Sequence, residues 1–257
     1  MDLGIDGRTA IVLASTAGLG AATAAALAAE GANVVVTGRD PSSTRQVAQA
    51  LKAAIGVDCD LTEPGTAERI LDATRETYGE PDILVLNGPG PSPGTAAALD
   101  AAGARTAVDA LLATHIELVN LVLPGMRARR WGRIVAIGSS GVEAPLPMLA
   151  ASNLGRAALA AYLKTLAAEV AADGVTVNMV LPGRIGTDRV ASLDAAAARR
   201  IGTSVDAVRT ASQAKIPIGR YGEPHEFGAV AAFLCGALAS YVTGSMIRCD
   251  GGLLANL

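Results

Sequence analysis

Three polar residues at fixed spacing carry the chemistry that this chain offers. Ser139 closes the β-branched run Arg133–Ile137 and its following glycine, Ser152 stands thirteen positions later, and Arg156 four positions after that. Residues four apart share a helix face, so Ser152 and Arg156 point the same way once their segment is helical. Two hydroxyl donors and a guanidinium aimed at one point would polarise a carbonyl and hold negative charge developing on its oxygen. None of the three is an acid with a pKa near neutrality: serine hydroxyls are weak acids, and arginine keeps its proton. His115 could titrate nearby, with a helix-packing role as the competing reading. Glu143 is a loop carboxylate just past Ser140, to be weighed against simple solvation. His225, in the turn Glu223-Pro224-His225-Glu226, receives no role. Tyr162 and Lys164 lie too far along the helix to join Ser152.

A second group of residues is suited to binding. The run Ala14-Ser15-Thr16-Ala17-Gly18-Leu19-Gly20 lies between the first β-branched segment and the first Ala-rich one. Glycines there let backbone approach a pyrophosphate, and a helix N-terminus adds free N–H groups and positive dipole.

These residues need a scaffold, and the chain alternates short β-branched runs with Ala-rich stretches. Strands are expected at Thr9–Leu13, Asn33–Thr37, Ala54–Cys59, Ile83–Leu86, Arg133–Ile137, Val175–Val180 and Met246–Cys249. Helices are expected near Leu19–Glu30, Ser42–Ala53, Ala67–Tyr78, Ala98–Arg129, Ala151–Ala172 and Pro224–Leu238. Strands without polar alternation are covered on both faces, as in a parallel sheet. The expectation is therefore an α/β fold: a single Rossmann-type doubly wound parallel sheet of about seven strands with helices on both faces, formed by residues 1–257 as one domain. The long stretch 188–215 after the sixth strand is placed where a substrate lid would sit.

Bulk properties narrow the function classes. The 257 residues are 51% apolar but only 3% aromatic, so the core must be built from Ala, Val, Leu and Ile. A net charge of −3 argues against a nucleic-acid partner, which would want a basic face. Three scattered cysteines, Cys59, Cys235 and Cys249, suit reduced core thiols, with no disulfide framework and no metal site. The N-terminal residues lack a basic, apolar leader, and the apolar run near residues 229–238 is too short to span a bilayer. A cytoplasmic protein with no membrane partner is the expectation.

Taken together, the motifs resemble the short-chain dehydrogenase/reductase family, in particular its 3-oxoacyl carrier-protein reductases, along essentially the whole chain. That family has a serine after the fifth strand, then a tyrosine and a lysine at the spacings found here; this chain has Ser139, Ser152 and Arg156. An asparagine on the family's fourth helix corresponds to Leu111, with His115 one turn on. The resemblance implies a nicotinamide dinucleotide held at Ser15, Thr16, Gly18, Leu19 and Gly20, at Asp60 and Leu61, at Asn87 and Gly88, by Arg156 on the ribose, and by the segment with Pro182, Gly183, Ile185 and Thr187. Arg39, at the end of the second strand, suits a 2′-phosphate because a guanidinium offers charge and a fork of donors, so NADP(H) is expected; a solvated surface arginine is the alternative. Gly219–Pro224, Tyr241–Gly244 and Asp250-Gly251-Gly252 complete the match.

Three functions are compatible with this set: an NADP(H)-dependent oxidoreductase for a carbonyl or alcohol; a fold-retaining enzyme of non-redox chemistry, such as a dehydratase, isomerase, cyclase or lyase, using Ser139, Ser152 and Arg156 as oxyanion donors; and a non-catalytic nucleotide-binding subunit. The partner expected is a small molecule, anionic or carrier-bound; the lid cations Arg189, Arg199, Arg200, Arg209 and Lys215, or the cluster Arg127, Arg129, Arg130 and Arg133, could steer it, with solvated helix faces as the competing reading. The resemblance also implies a homodimer or homotetramer formed through the two long helices.

Overall fold

A computed structural model describes residues 2–256; Met1, read above with the N-terminus, and Leu257 lie outside them. The elements run β1 (Thr9–Val12), α1 (Gly18–Ala29), β2 (Asn33–Gly38), α2 (Pro41–Gln49), β3 (Ala54–Asp58), α3 (Thr66–Tyr78), β4 (Ile83–Leu86), α4 (Ala101–Val108), α5 (Thr114–Ala128), β5 (Gly132–Ile137), α6 (Ala150–Val170), β6 (Val175–Pro182), α7 (Asp188–Ile201), α8 (Val205–Gln213), α9 (Pro224–Cys235) and β7 (Met246–Cys249). All seven strands pair in parallel in the order β3-β2-β1-β4-β5-β6-β7. The order reverses between β1 and β4, where Ala10 sits opposite both Val34 and Ile83. Doubly wound sheets bind ligands at the carboxyl ends of the strands beside such a switch.

Period-two placement explains the uninterrupted apolar strands, because each strand supplies a core on either side. Ile11, Leu84, Leu86, Ile134 and Leu181 join the layer under α3, α5 and α6. Val12, Val85, Val135, Ile137 and Val180 join Phe227 in the layer under α1 and α9.

The stretch expected as one plain helix from residue 98 is different. A π-helical turn, Asp109–Ala113, joins α4 to α5. Such a turn displaces the ordinary i→i−4 carbonyl pattern, and here the ring of His115 faces the carbonyl of Leu111, with Nδ1 at 2.9 Å. The combined rod, Ala101–Ala128, is 28 residues long and apolar enough to cross a membrane by length and composition, which the run at 229–238 did not suggest. Its α5 stripe of Leu118, Val119, Val122 and Met126 is fully buried on the sheet, and 39% of its most apolar stretch is buried in all.

Two helices, α7 and α8, form the segment read as a lid. Asp194 of α7 is buried and accepts bonds from Arg184 Nη1 (2.8 Å) and Tyr221 Oη (2.9 Å), tying α7 to the loops beneath.

At the opposite, amino edge of the sheet, the cluster read as an anion-steering patch is engaged internally. Arg127 pairs with Asp173 (2.6 Å), Arg129 donates to the Pro81 carbonyl and Arg130 to that of Ala172. Arg133 is buried and bonded to the Gly236 carbonyl, and its guanidinium and that of Arg8 lie 4.4 and 4.1 Å from the Trp131 ring centroid.

Candidate functional site

The turn after β1 begins in strain. Ala14 has φ +45, the left-handed region that a β-carbon disfavours. Its N–H donates to Thr37 Oγ1 and its carbonyl accepts from Asn87 Nδ2 at 3.1 Å, which pins the turn between β2 and β4. Gly20 closes the turn against this carbonyl: a β-carbon there would lie 2.5 Å from Ala14 O. Helix α1 then starts with no side-chain cap on Ala17, so its first N–H groups are left for something outside the helix.

Not every residue expected to bind there does so by its side chain. Ser15 is buried, donates to the Val12 carbonyl (2.7 Å) and accepts from the Thr37 N–H (3.1 Å), so its hydroxyl belongs to the β1–β2 seam. Thr16 packs on Gly38 at the end of β2. Arg39 follows, exposed, beside Asp60. Asp60 accepts from the N–H and hydroxyl of Thr62, which hold its carboxyl below the usual carboxylate range. Leu61 is buried, with its carbonyl accepting from Thr114 Oγ1. These residues form the open margin of the site.

Its deep part is a cavity of about 450 Å³ at the carboxyl ends of β4, β5 and β6. Gly18 and Leu19 border it on the turn side, Asn87 and Gly88 beyond β4, and Pro182, Gly183, Ile185 and Thr187 beyond β6. Ser139, Ser152 and Arg156 all line the same cavity. Ser139 Oγ accepts the Gly141 N–H at 3.0 Å, which fixes the oxygen while leaving its proton free to be donated. Ser152 is buried in α6, and its hydroxyl makes no hydrogen bond to the described residues. Arg156 Nη1 donates to the Ile137 carbonyl at 2.6 Å. Burial, and secondarily the positive charge of Arg189, push its pKa down to about 10.

The wall facing these groups is a loop that the chain shapes deliberately. Asn153 holds Leu146 by both amide atoms, accepting its N–H and donating to its carbonyl. Met148 takes a left-handed φ of +64 and lines the cavity.

His115 does not take the place expected for it. It is 2% exposed, lies behind Gly88, outside the cavity lining, and its Nε2 is 3.2 Å from the Asn87 carbonyl. Burial holds its pKa below the ordinary histidine value. Leu111, expected to stand in place of an asparagine, is buried against Gly155 and offers no polar atom beyond its backbone. Glu143 forms an ion pair with Arg248 rather than facing solvent. In contrast, Arg189 and Arg200, expected only as general lid charges, line the cavity itself. Their spacing with Leu193, Ala196 and Ala197 is that of one helix face, a signal present in the sequence.

Comparison with known proteins agrees with this geometry. The family described as Enoyl-(Acyl carrier protein) reductase matches residues 13–254. A 3-oxoacyl-[acyl-carrier-protein] reductase of Vibrio cholerae is 31% identical over 254 residues, 98% of this chain and 99% of that protein. Dehydrogenase/reductase SDR family member 4 of Bos taurus is 32% identical over 263 residues, 98% of this chain and 89% of that protein. Among solved structures, L-sorbose reductase from Gluconobacter frateurii, complexed with NADPH and L-sorbose, superposes with a TM-score of 0.94 at 30% identity, covering 100% of both chains.

Proposed function

The chain belongs to the short-chain dehydrogenase/reductase family, and on that premise we propose that it is an NADP(H)-dependent oxidoreductase interconverting a carbonyl and an alcohol. One observation carries the proposal: a single cavity joins the glycine turn to Ser139, Ser152 and Arg156. The relatives above are named as reductases or dehydrogenases, which favours this reading over non-redox chemistry or a non-catalytic subunit.

The residues present fit a dinucleotide. Uncapped N–H groups at the start of α1 suit a pyrophosphate, and a β-carbon at Gly20 would collide with the turn that presents them. Arg39 would hold a 2′-phosphate, and Pro182, Gly183, Ile185 and Thr187 the nicotinamide half. Such a cofactor supplies or accepts the hydride.

The chain's own residues do the rest. In reduction, hydride adds to the carbonyl carbon and the C=O π pair moves onto oxygen. Ser139 and Ser152 donate hydrogen bonds to that oxygen, and the Arg156 cation stabilises its charge. A proton from water then completes the hydroxyl, because neither serine is acidic enough to give one up near neutrality.

Calorimetric titration with NADPH and with NADH tests the reading. The expected result is tight NADPH binding, much weaker NADH binding, and loss of the difference in Arg39→Ala. Folded protein that binds neither nucleotide would overturn it.

A further inference from the structure

Among the described residues, Arg156, Arg189 and Arg200 face the cavity with no carboxylate partner, whereas a fourth cation, Arg184, is paired with Asp194. The one acid in the lining is Asp188, exposed at the start of α7.

Two of the unpaired groups are held ready. Arg156 is fixed by Nη1 on the Ile137 carbonyl, and Arg189 by Nη2 on the Pro91 carbonyl, both at 2.6 Å. Their other guanidinium nitrogens make no hydrogen bond to the described residues. Arg189 also lies against the backbone of Gly90, where a β-carbon would sit 3.0 Å from Nε and Nη2. Its position is thus set by the β4 loop as well as by α7. Two cations near one another in a partly dry cavity repel, and an anion between them relieves both the repulsion and the desolvation. Arg200 stands eleven residues along α7, about 16 Å away at 1.5 Å per residue, too far to share one small anion with Arg189.

We infer that the substrate is a short oxo acid, its carbonyl at Ser139 and Ser152 and its carboxylate gripped by Arg189 beside Arg156. This rests on the reductase reading for the reaction, while the grip itself is a binding property of the chain.

Calorimetry on the protein saturated with NADP⁺, where no turnover of an oxo acid occurs, separates the two. The probes are 2-oxobutanoate, 2-oxohexanoate and 4-oxopentanoate, each beside its methyl ester. At least one acid should bind roughly ten- to a hundredfold tighter than its ester, the range of charge-assisted hydrogen bonds. Arg189→Gln should abolish that preference and leave NADPH affinity unchanged. Arg209→Gln, a lid cation stacked on Tyr221 outside the cavity, should preserve it. Equal binding of acid and ester, no binding of any acid, a preference that survives Arg189→Gln, or NADPH affinity lost with Arg189 would each overturn the inference. If nucleotide fails to bind but the cofactor-free chain still separates acid from ester through Arg189, the reductase reading falls and the carboxylate grip stands.

Discussion

A serine hydroxyl cannot exchange a proton near neutral pH as a phenol can, and this difference should show in the rate. Among the described residues no histidine or cysteine lines the cavity, so reduction with NADPH saturating is expected to be flat between pH 6 and 9. Burial pushes the Arg156 pKa down from its ordinary value to about 10. Below that value the guanidinium keeps its charge, so its contribution to the rate is constant across this range. A steep change near pH 7 would contradict this account. Ser139→Ala removes one oxyanion donor and should lower kcat by about a hundredfold with NADPH affinity unaltered, measured by steady-state kinetics and calorimetry. At the turn after β1, Ala14→Gly relieves the left-handed φ of +45. It should stabilise the protein by roughly 0.5–1 kcal/mol, since the left-handed penalty exceeds the entropy that glycine adds to the unfolded chain; urea unfolding measures it. At this scale the sequence is readable where spacing decides: Ser139, Ser152 and Arg156 meet in one cavity as their positions imply. It is silent where a hydroxyl has a choice of partners, and Ser15 is the case in point, spent on Val12 and Thr37.

Most helices and strands follow from the alternation of β-branched and Ala-rich runs to within a few residues, and the larger exceptions are local geometry that composition does not encode. The π-turn at Asp109–Ala113 inserts into a segment whose composition reads as plain helix. It turns His115 toward backbone carbonyls and away from the cavity. Helices α7 and α8 show the reverse case. Their charges are plain in the sequence, but which of them turn inward depends on the phase of α7, and that phase is set by buried Asp194. Asp194→Ala leaves Arg184 and Tyr221 without their acceptor. Bonds to a charged group contribute about 1.5–3 kcal/mol each. Amide exchange across residues 188–213 should therefore quicken by at least about tenfold, since each bond lost is worth more than one factor of ten, with β5 and β6 unchanged; equal acceleration in the sheet would show that Asp194 supports the whole fold and not α7 and α8 alone.

Across the whole molecule, charge is distributed against its own average. The chain carries −3 overall, yet unpaired cations collect in the cavity while those at the amino edge of the sheet are paired with carboxylates and carbonyls. Association remains the largest property outside the single chain. The long helices α5 and α6 are the expected contact, and Phe233, Leu238, Tyr241 and Met246 leave further apolar surface uncovered. Sedimentation at micromolar concentration should show dimer or tetramer, and monomer alone would remove that proposal.

Trp131 is the chain's single tryptophan, and it sits against Arg8 and Arg133 just before β5. The six residues of β5 put about 20 Å between this indole and the cavity. Its emission is therefore an intrinsic optical gauge of the sheet: it changes when the sheet comes apart and is indifferent to rearrangement of the lid. A denaturation curve recorded at that one fluorophore, set beside one recorded by ligand binding, distinguishes a protein that has lost its site from one that has lost its fold.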